Sequence, residues 1–168
     1  MAVLLGPLET VLVLLSALTA NGSPVLLRGH GHPLDFNHVF IDGRPILGKG
    51  KTFEGLALGT LFGSTIAYLI SGLTGQQFIF YAGTLAAVGA LLGDVVAAFI
   101  KRRIGLERGA PAPLLDQLDF YSGAIVATTL AGYLVEPITA VALGIVVPLL
   151  HRATNYAAYR LGLKNVPW

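Results

Sequence analysis

Acidic and basic residues between positions 94 and 119 have the types and spacing that could bind a metal ion and a phosphate group. Asp94 lies in an apolar segment that ends on three consecutive cations at positions 101–103. A connection containing glycine and proline follows, and Asp116 and Asp119 begin the next apolar segment. Two acids three residues apart share one side of a helix, and carboxylate oxygens suit Mg2+. The pattern therefore predicts carboxylates that hold Mg2+ against a phosphate.

Each of these features also has a purely structural interpretation. Asp116 and Asp119 could stabilise a helix N-terminus through capping and charge, and Asp94 could form an ion pair with Lys101 or Arg102. An acid about two turns inside an apolar helix is costly unless it is paired or binds a cation. The gathering of three acids beside three cations favours the functional interpretation.

A second basic cluster lies upstream, in the segment Leu47-Gly-Lys-Gly-Lys-Thr-Phe-Glu-Gly55. It lacks the glycine spacing of a P-loop and no buried strand precedes it, so that motif is rejected. Its glycines could still bring backbone N–H groups to an anion, together with Lys49 and Lys51. Thr52 could cap the helix that follows, with Glu54 in its first turn. Anchoring of that helix by positive charge alone would also explain the two lysines.

The composition favours a bilayer environment. Of 168 residues, 54% are hydrophobic and 12% are charged, and the mean hydropathy is +0.72. A chain this short has too little interior to bury so many apolar side chains in water. The net charge of +2 is gathered into clusters, which indicate membrane topology rather than a nucleic-acid partner. Cysteine is absent, and His30 and His32 are only a weak zinc signal, because structural zinc sites need more ligands.

The apolar segments predict an all-α, polytopic membrane protein with a single domain over residues 1–168. Gly55, Gly59 and Gly63 share one face of the second apolar segment, and small residues at this spacing let helices of one molecule approach closely. Two long polar loops are expected at 21–52 and 101–119. The five predicted spans lie at about 2–20, 53–73, 77–100, 120–135 and 138–158.

The charges of the loops predict the topology. Lysine and arginine are concentrated at 28–51, 101–108 and 152–164, and the two short turns between these regions carry neither. The positive-inside rule places basic loops on the cytoplasmic side. Five spans with the N-terminus outside and the C-terminus in the cytoplasm satisfy this rule. The acids and cations described above are then expected at the cytoplasmic face of the cell membrane.

The two clusters together resemble a known family of enzymes. Gly93-Asp94, followed by Lys101-Arg102 and then by Asp116 and Asp119, resembles the signature of the CTP-dependent phosphatidate cytidylyltransferases. The segment 51–55 resembles the Lys-Thr-Trp-Glu-Gly element that lies upstream in that family. The resemblance covers residues 42–120 by motif and the whole chain by size and number of spans.

The details are more similar to the archaeal branch of this family, the CDP-archaeol synthases. The short chain, the Arg102-Arg103 pair and the segment 111–120 carry this similarity. The sequence departs from the bacterial pattern at Ala98 and Gln117, where serine and arginine are common, and it lacks Pro-Gly-His-Gly-Gly. These departures favour an archaeal lipid substrate over diacylglycerol phosphate.

The resemblance implies transfer of CMP from CTP to the phosphate of an unsaturated archaeal ether lipid, with pyrophosphate as the second product. It implies a Mg2+ cofactor on Asp94, Asp116 and Asp119, with Lys101 and Arg102 as further catalytic residues. Such a transfer depends mainly on positioning and charge stabilisation. The implied substrate-binding residues are other polar side chains of the two long loops and their borders: Lys49, Lys51, Thr52, Arg103, Asn37, Asp42, Arg44, Glu54 and Gln117.

Three other functions fit parts of the sequence. A CDP-diacylglycerol synthase would use the same motifs on phosphatidate. A transporter would need a polar path at the midplane, and Glu9 is the one acid or base in the middle of a predicted span. A non-catalytic scaffold could bind anionic lipids through its basic loops, but it should tolerate Asp94→Asn, whereas an enzyme should not.

Overall fold

A computed structural model describes residues 2–107, 109–164 and 166–167. Arg108, which belongs to the second basic region, lies outside the described residues. A 3-10 turn at Ser23–Leu27 extends the first helix, and two short strands, β1 (Val3–Leu4) and β2 (Tyr133–Leu134), pair in parallel. Most of the described chain is helical: α1 (Pro7–Gly22), α2 (Phe53–Thr74), α3 (Gln77–Arg103), α4 (Leu115–Leu130) and α5 (Pro137–Arg160).

Helix α3 is the centre of the bundle, because it packs against α1, α2 and α4. Its buried positions are mostly alanine and glycine, which let the neighbouring backbones approach closely. The glycine stripe of α2 has the same role. A methyl group built on Gly63 would lie 2.5 Å from Cβ of Ala87 in α3 and 2.9 Å from the carbonyl oxygen of Ser16 in α1. The prediction that this stripe packs within the molecule is confirmed.

The chain is a polytopic membrane protein. Within the described ranges, four helices are long and apolar enough to cross a bilayer: α1 with its 3-10 extension, α2, α3 and α5. Helix α4 has 16 residues, a length of about 24 Å against roughly 30 Å of hydrocarbon. It corresponds to the predicted fourth span, and it does not meet the same criteria. Helix α5 is the most loosely packed of the four, with Val147 its one buried residue among those described.

The bounds of the fourth helix differ from the prediction of 120–135. Helix α4 begins at Leu115 and ends at Leu130. Pro113 lacks the N–H that a helix interior requires, and Leu114 has a positive φ of 67°, so the helix can begin only after these residues. Gly132, with a φ of 88°, turns the chain out of the helix. The loop predicted at 101–119 is shorter at both ends, because α3 continues to Arg103 and α4 already begins at Leu115.

The first helix also begins later than the predicted position 2. Pro7 is well suited to the first turn of a helix, and α1 starts there. The residues before it pair with the segment after α4, where the N–H of Val3 donates to the carbonyl of Gly132 at 2.7 Å. These hydrogen bonds satisfy backbone groups at the end of the bundle. The all-α prediction misses the two short strands, because their pairing joins residues that are far apart in the sequence.

Candidate active site

A cavity of about 770 Å3 lies at the end of the bundle where α3 ends and α4 begins. It brings together residues that are far apart in the sequence: the segment before α2, the last three turns of α3 and the first two turns of α4. The predicted site residues that line it are Lys51, Thr52, Asp94, Lys101, Asp116 and Asp119.

The approach of α3 to α4 places the acids at this cavity. A methyl group built on Gly93 would lie 2.3 Å from the carbonyl oxygen of Asp119 and 3.1 Å from the Cα of Gly123. Real Cβ atoms do not make such contacts, so only glycine fits between the two backbones. Asp94 directly follows this crossing point. The glycine of the Gly93-Asp94 pair therefore fixes how close Asp94 lies to α4.

Two of the acids hold lysines that come from other parts of the chain. Nζ of Lys51 donates to Oδ2 of Asp94, and Nζ of Lys101 donates to Oδ1 of Asp116 at 2.6 Å. The second oxygen of Asp116 accepts the N–H of Ala112 at 2.9 Å. These charge-assisted contacts compensate for burying charges at the edge of an apolar bundle.

Asp119 lies near enough to Asp94 and Asp116 for their charges to act on it. Its Oδ1 accepts the N–H of Phe120 at 2.6 Å. In the described part of the chain, no three His, Asp or Glu side chains are grouped so that they could hold a metal ion directly. The chemistry of the donor set nevertheless fits Mg2+, which takes carboxylate oxygens and keeps several waters. The predicted metal role of the three acids stays a prediction.

Arg103, Asp42 and Arg44 do not line the cavity; they hold the long first loop against the end of α3. Arg103 Nη1 donates to Oδ1 of Asp42 at 2.6 Å, and its Nη2 donates to the carbonyl of Pro45. Arg44 Nη1 donates to the carbonyl of Arg103 at 2.6 Å. The Arg103 guanidinium also stacks 4.7 Å from the ring of Phe40. A bidentate grip combined with stacking is what arginine, and not lysine, can provide.

Asp35, which lies within the first loop, anchors the glycine- and lysine-containing segment that precedes α2. Its carboxylate accepts the N–H groups of Leu47 at 2.9 Å, Gly48 at 2.8 Å and Asn37 at 3.0 Å. Burial alone would raise the pKa of Asp35, but these hydrogen bonds outweigh it and hold the pKa below its ordinary value. The amide of Gly48, one of the glycine N–H groups predicted as donors to an anion, is therefore occupied by Asp35. Lys49 is exposed and does not line the cavity.

Thr52 and Glu54 organise the start of α2. The hydroxyl of Thr52 accepts the N–H of Gly55 at 3.0 Å and caps the helix. Glu54 accepts the backbone N–H of His32 at 2.7 Å and contacts Nδ1 of the same histidine at 2.5 Å. Both side chains thus tie the first loop to the membrane helix. Asn37 is exposed and contributes its backbone N–H to Asp35.

The remaining predicted residues, Arg102 and Gln117, do not line the main cavity. Arg102 is buried, and its Nε has no hydrogen-bond partner among the described residues. Gln117 is also buried and lines a smaller cavity of about 190 Å3 together with Asp116 and His151.

Six polar residues that line the main cavity were not predicted. Asn21 lies in the last turn of α1 and Arg28 follows the 3-10 turn. The other four come from the end of α5 and the segment after it: His151, Thr154, Asn155 and Lys164. The sequence pattern of the latter region indicates only the basic end of a span. The available signal was a pair of polar residues four apart, His151 and Asn155, on one face of an apolar helix. Burial lowers the pKa of Lys164 from its ordinary value.

The arrangement suits phosphate chemistry at the edge of a membrane. Three carboxylates and several cations face one cavity, and the lysines that contact the carboxylates can move to other anions. Lysine carries a compact charge on a flexible side chain, so it can exchange partners without any movement of the backbone. The cavity lies at the ends of apolar helices, so both a lipid head group and a water-soluble anion can enter it.

The comparisons with known proteins agree on one family. The CarS-like CDP-archaeol synthase family model matches residues 1–168. A CDP-archaeol synthase of Hyperthermus butylicus is 59% identical over 168 residues, which is 100% of both chains. One of Aeropyrum pernix is 47% identical over 161 residues, 96% of this chain and 92% of that protein.

A solved structure also matches the fold. It belongs to a study of an intramembrane enzyme for archaeal membrane lipid biosynthesis, and it superposes with a TM-score of 0.82 at 43% sequence identity. The match covers 89% of this chain and 94% of that chain. The similarity therefore extends over most of the chain.

Proposed function

Because the chain belongs to the CDP-archaeol synthase family, we propose that the cavity at the ends of α3 and α4 is the site of its reaction. The protein is a cytidylyltransferase that forms CDP-archaeol in a CTP-dependent reaction. Its substrates are a nucleotide and a lipid phosphate. The single observation that carries the assignment of the site is the convergence of Lys51, Asp94, Lys101, Asp116 and Asp119 on one cavity.

In the proposed reaction, an oxygen of the lipid phosphate attacks the α-phosphorus of CTP. A new P–O bond forms, the bond between the α-phosphorus and its bridging oxygen breaks, and pyrophosphate leaves with the electron pair. The nucleophile is already an anion, so no strong general base is needed. Positioning and neutralisation of charge supply most of the catalysis in such transfers.

Lys51 and Lys101 have the main positioning role. In the structure they contact Asp94 and Asp116. When the triphosphate enters, the two ammonium groups turn to its oxygens, because the triphosphate carries several negative charges and each carboxylate carries one. Asp94, Asp116 and Asp119 would then hold Mg2+, which when bound neutralises phosphate charge. Arg102, which is buried in the last turn of α3, adds a positive charge next to Lys101 in the sequence.

The proposed lipid substrate is the unsaturated archaeal ether lipid phosphate with two geranylgeranyl chains. The cavity lies where apolar helices end, so the phosphate can meet CTP there while the chains remain between helices in the bilayer. Nothing in the comparisons favours phosphatidate, a scaffold role or transport.

The proposed topology has five spans, with α4 as a short fourth crossing, an outside N-terminus and a cytoplasmic C-terminus. All lysines and arginines of the described residues lie at or near the cavity end, whereas the turns 74–76 and 131–136 carry none. The positive-inside rule then places the cavity at the cytoplasmic face of the cell membrane, where CTP is available. A short helix such as α4 is tolerated where it packs against other helices.

The test uses purified protein in detergent micelles with CTP, Mg2+ and the digeranylgeranyl lipid phosphate. Release of pyrophosphate should require all three and stop with EDTA. Asp94→Asn should abolish it, whereas the control Glu107→Gln, an exposed acid of the loop after α3, should not change it. Full turnover by Asp94→Asn, or turnover that is intact in EDTA, would overturn the proposed site.

A further inference from the structure

The C-terminal segment after α5 folds back onto the cavity. Gly162 has a φ of 69°, a left-handed conformation that ends the helix. The N–H of Gly162 donates to the carbonyl of Tyr159 at 3.0 Å, and that of Leu163 donates to the carbonyl of Ala158 at 2.9 Å. This turn reverses the chain and brings the side chain of Lys164 to the wall of the cavity.

Lys164 belongs to a chain of hydrogen bonds with defined direction. Its Nζ donates to Oδ1 of Asn155 at 3.0 Å, and Nδ2 of Asn155 lies 3.1 Å from Nε2 of His151. Because lysine can only donate, it fixes the orientation of the amide, which must then donate from Nδ2. Nε2 of His151 is therefore the acceptor, and the ring nitrogen proton is on Nδ1. The arrangement holds the ammonium group in one place.

Lys164 lines the same cavity as Lys51 and Lys101. Asp94 and Asp116 are contacted by Lys51 and Lys101. Lys164 donates to the amide oxygen of Asn155, which holds the ammonium group at the wall of the same cavity. The charges of Asp94, Asp116, Lys51 and Lys101 all act on Lys164, so it belongs to the same electrostatic cluster.

We propose that Lys164 is a further substrate-binding residue, which contacts a phosphate group in the cavity, and that Asn155 is the residue that positions it. The inference rests on the proposed function, because it assigns Lys164 to the phosphate of one of the two substrates of that reaction. A triphosphate and a lipid phosphate offer the same chemistry to an ammonium group. The third wall of the active site is then supplied by α5 and the C-terminal segment, outside the two sequence motifs.

The experiment measures KM for CTP and KM for the lipid phosphate separately, in detergent micelles. Lys164→Met should raise KM for one substrate about tenfold, the effect of losing one charge-assisted contact, with a smaller change in kcat. Lys164→Arg keeps the charge and should restore most of the affinity. A raised KM for CTP assigns the contact to the nucleotide, and a raised KM for the lipid assigns it to the lipid phosphate.

Asn155→Asp provides an independent variant that removes no side chain. The new carboxylate keeps the hydrogen bond to Lys164 but neutralises its charge, so KM should rise for the same substrate. Arg160→Met is the matched control, because Arg160 lies at the end of α5 against Tyr156 and outside the cavity. It should leave both KM values unchanged.

Unchanged KM values for both substrates in Lys164→Met, or a fall in kcat alone, would overturn the role of Lys164. Asp94→Asn, measured in the same preparations, separates this failure from failure of the proposed function. If Asp94→Asn is inactive while Lys164→Met behaves as wild type, only the inference about Lys164 is lost. If Asp94→Asn turns over normally, the proposed site itself is wrong.

Discussion

The two ends of the helix bundle use carboxylates in different ways. At the end away from the cavity, Glu9 accepts the N–H of Gly6 at 2.6 Å, and Glu136 accepts the N–H groups of Ile138 at 3.0 Å and Thr139 at 2.6 Å. These acids satisfy backbone donors at the starts of α1 and α5. Hydrogen bonds to Thr139, and then to Ile138, hold the pKa of Glu136 below its ordinary value.

At the cavity end, Asp94 and Asp116 contact lysine side chains instead. A backbone N–H cannot leave its place, so a capping acid has a fixed partner and a structural role. A lysine side chain can turn to another anion, so the acid it leaves can accept a cation. The lysine partner therefore distinguishes Asp94 and Asp116 from the capping acids, although Asp116 also accepts the N–H of Ala112. Asp119 accepts the N–H of Phe120 and is distinguished by its place in the same cavity.

The largest expected effect is on turnover, when the removal of one acid at the cavity end is compared with the removal of one acid at the other end. Asp94→Asn should reduce turnover by about 100-fold or more, on the scale of losing one charge-stabilising group in an active site. Glu136→Gln should lower the melting temperature modestly and leave turnover close to that of wild type. Pyrophosphate release and thermal unfolding in detergent measure the two quantities. Equal losses of turnover in both variants would remove the distinction between the two ends.

The close approach of α3 and α4 at the cavity end gives the second prediction. Gly93→Ala forces a methyl group to within 2.3 Å of the Asp119 carbonyl, so it should destabilise the fold by about 1–3 kcal/mol and reduce activity.

Gly72→Ala is the matched control for this glycine, since a methyl group there meets nothing within 4 Å. It should be neutral or slightly stabilising, because alanine favours a helix interior. Thermal unfolding of the two variants side by side checks both statements. A stable, active Gly93→Ala protein would show that the two backbones can separate without loss.

Loss of the contacts between Arg103 and the first loop should have a smaller effect on activity than loss of an acid of the cavity. Arg103→Lys loses the bidentate contact with Asp42 and Pro45 and the stacking on Phe40. Limited proteolysis within 38–46 should become about tenfold faster, as expected for losing a charged hydrogen bond. Turnover should fall less than in Asp94→Asn. If Arg103→Lys is as inactive as Asp94→Asn while the loop stays protected, Arg103 contacts substrate directly.

The smallest effect is expected at Asp35. Its pKa is lowered in the folded protein, so its hydrogen bonds stabilise the loop fully above the unfolded pKa. That stabilisation is lost as the pH falls through the lower folded pKa, in the acid range below about pH 4. Asp35→Asn should therefore expose the amides of Leu47 and Gly48 at neutral pH, at a cost of about 1 kcal/mol.

Hydrogen exchange followed by mass spectrometry measures this exposure. Faster exchange of the 46–49 segment is expected in Asp35→Asn, with the exchange of α3 unchanged. Wild-type exchange rates at this segment would mean that the loop is held by its other contacts alone.

Much of the fold was determined by the sequence alone. Long apolar segments with few charges can bury themselves only in a bilayer, and in a bilayer a single chain must satisfy its own backbone hydrogen bonds by forming helices. Four of the five predicted spans correspond to helices long enough to cross. The predicted approach of the glycine-lined helices and the gathering of Lys51, Asp94, Lys101, Asp116 and Asp119 follow from spacing and motif, and the structure places them accordingly.

Only the tertiary structure decided which polar side chains face the cavity. Arg103 and Asp42 lie 61 residues apart in the sequence, and Lys164 reaches the cavity only because Gly162 reverses the chain after α5. No local periodicity records such contacts, because they depend on how the ends of separate helices meet. Apolar patterning specifies which segments are helices, whereas the partner of each charged side chain is settled by the packing that brings those helices together.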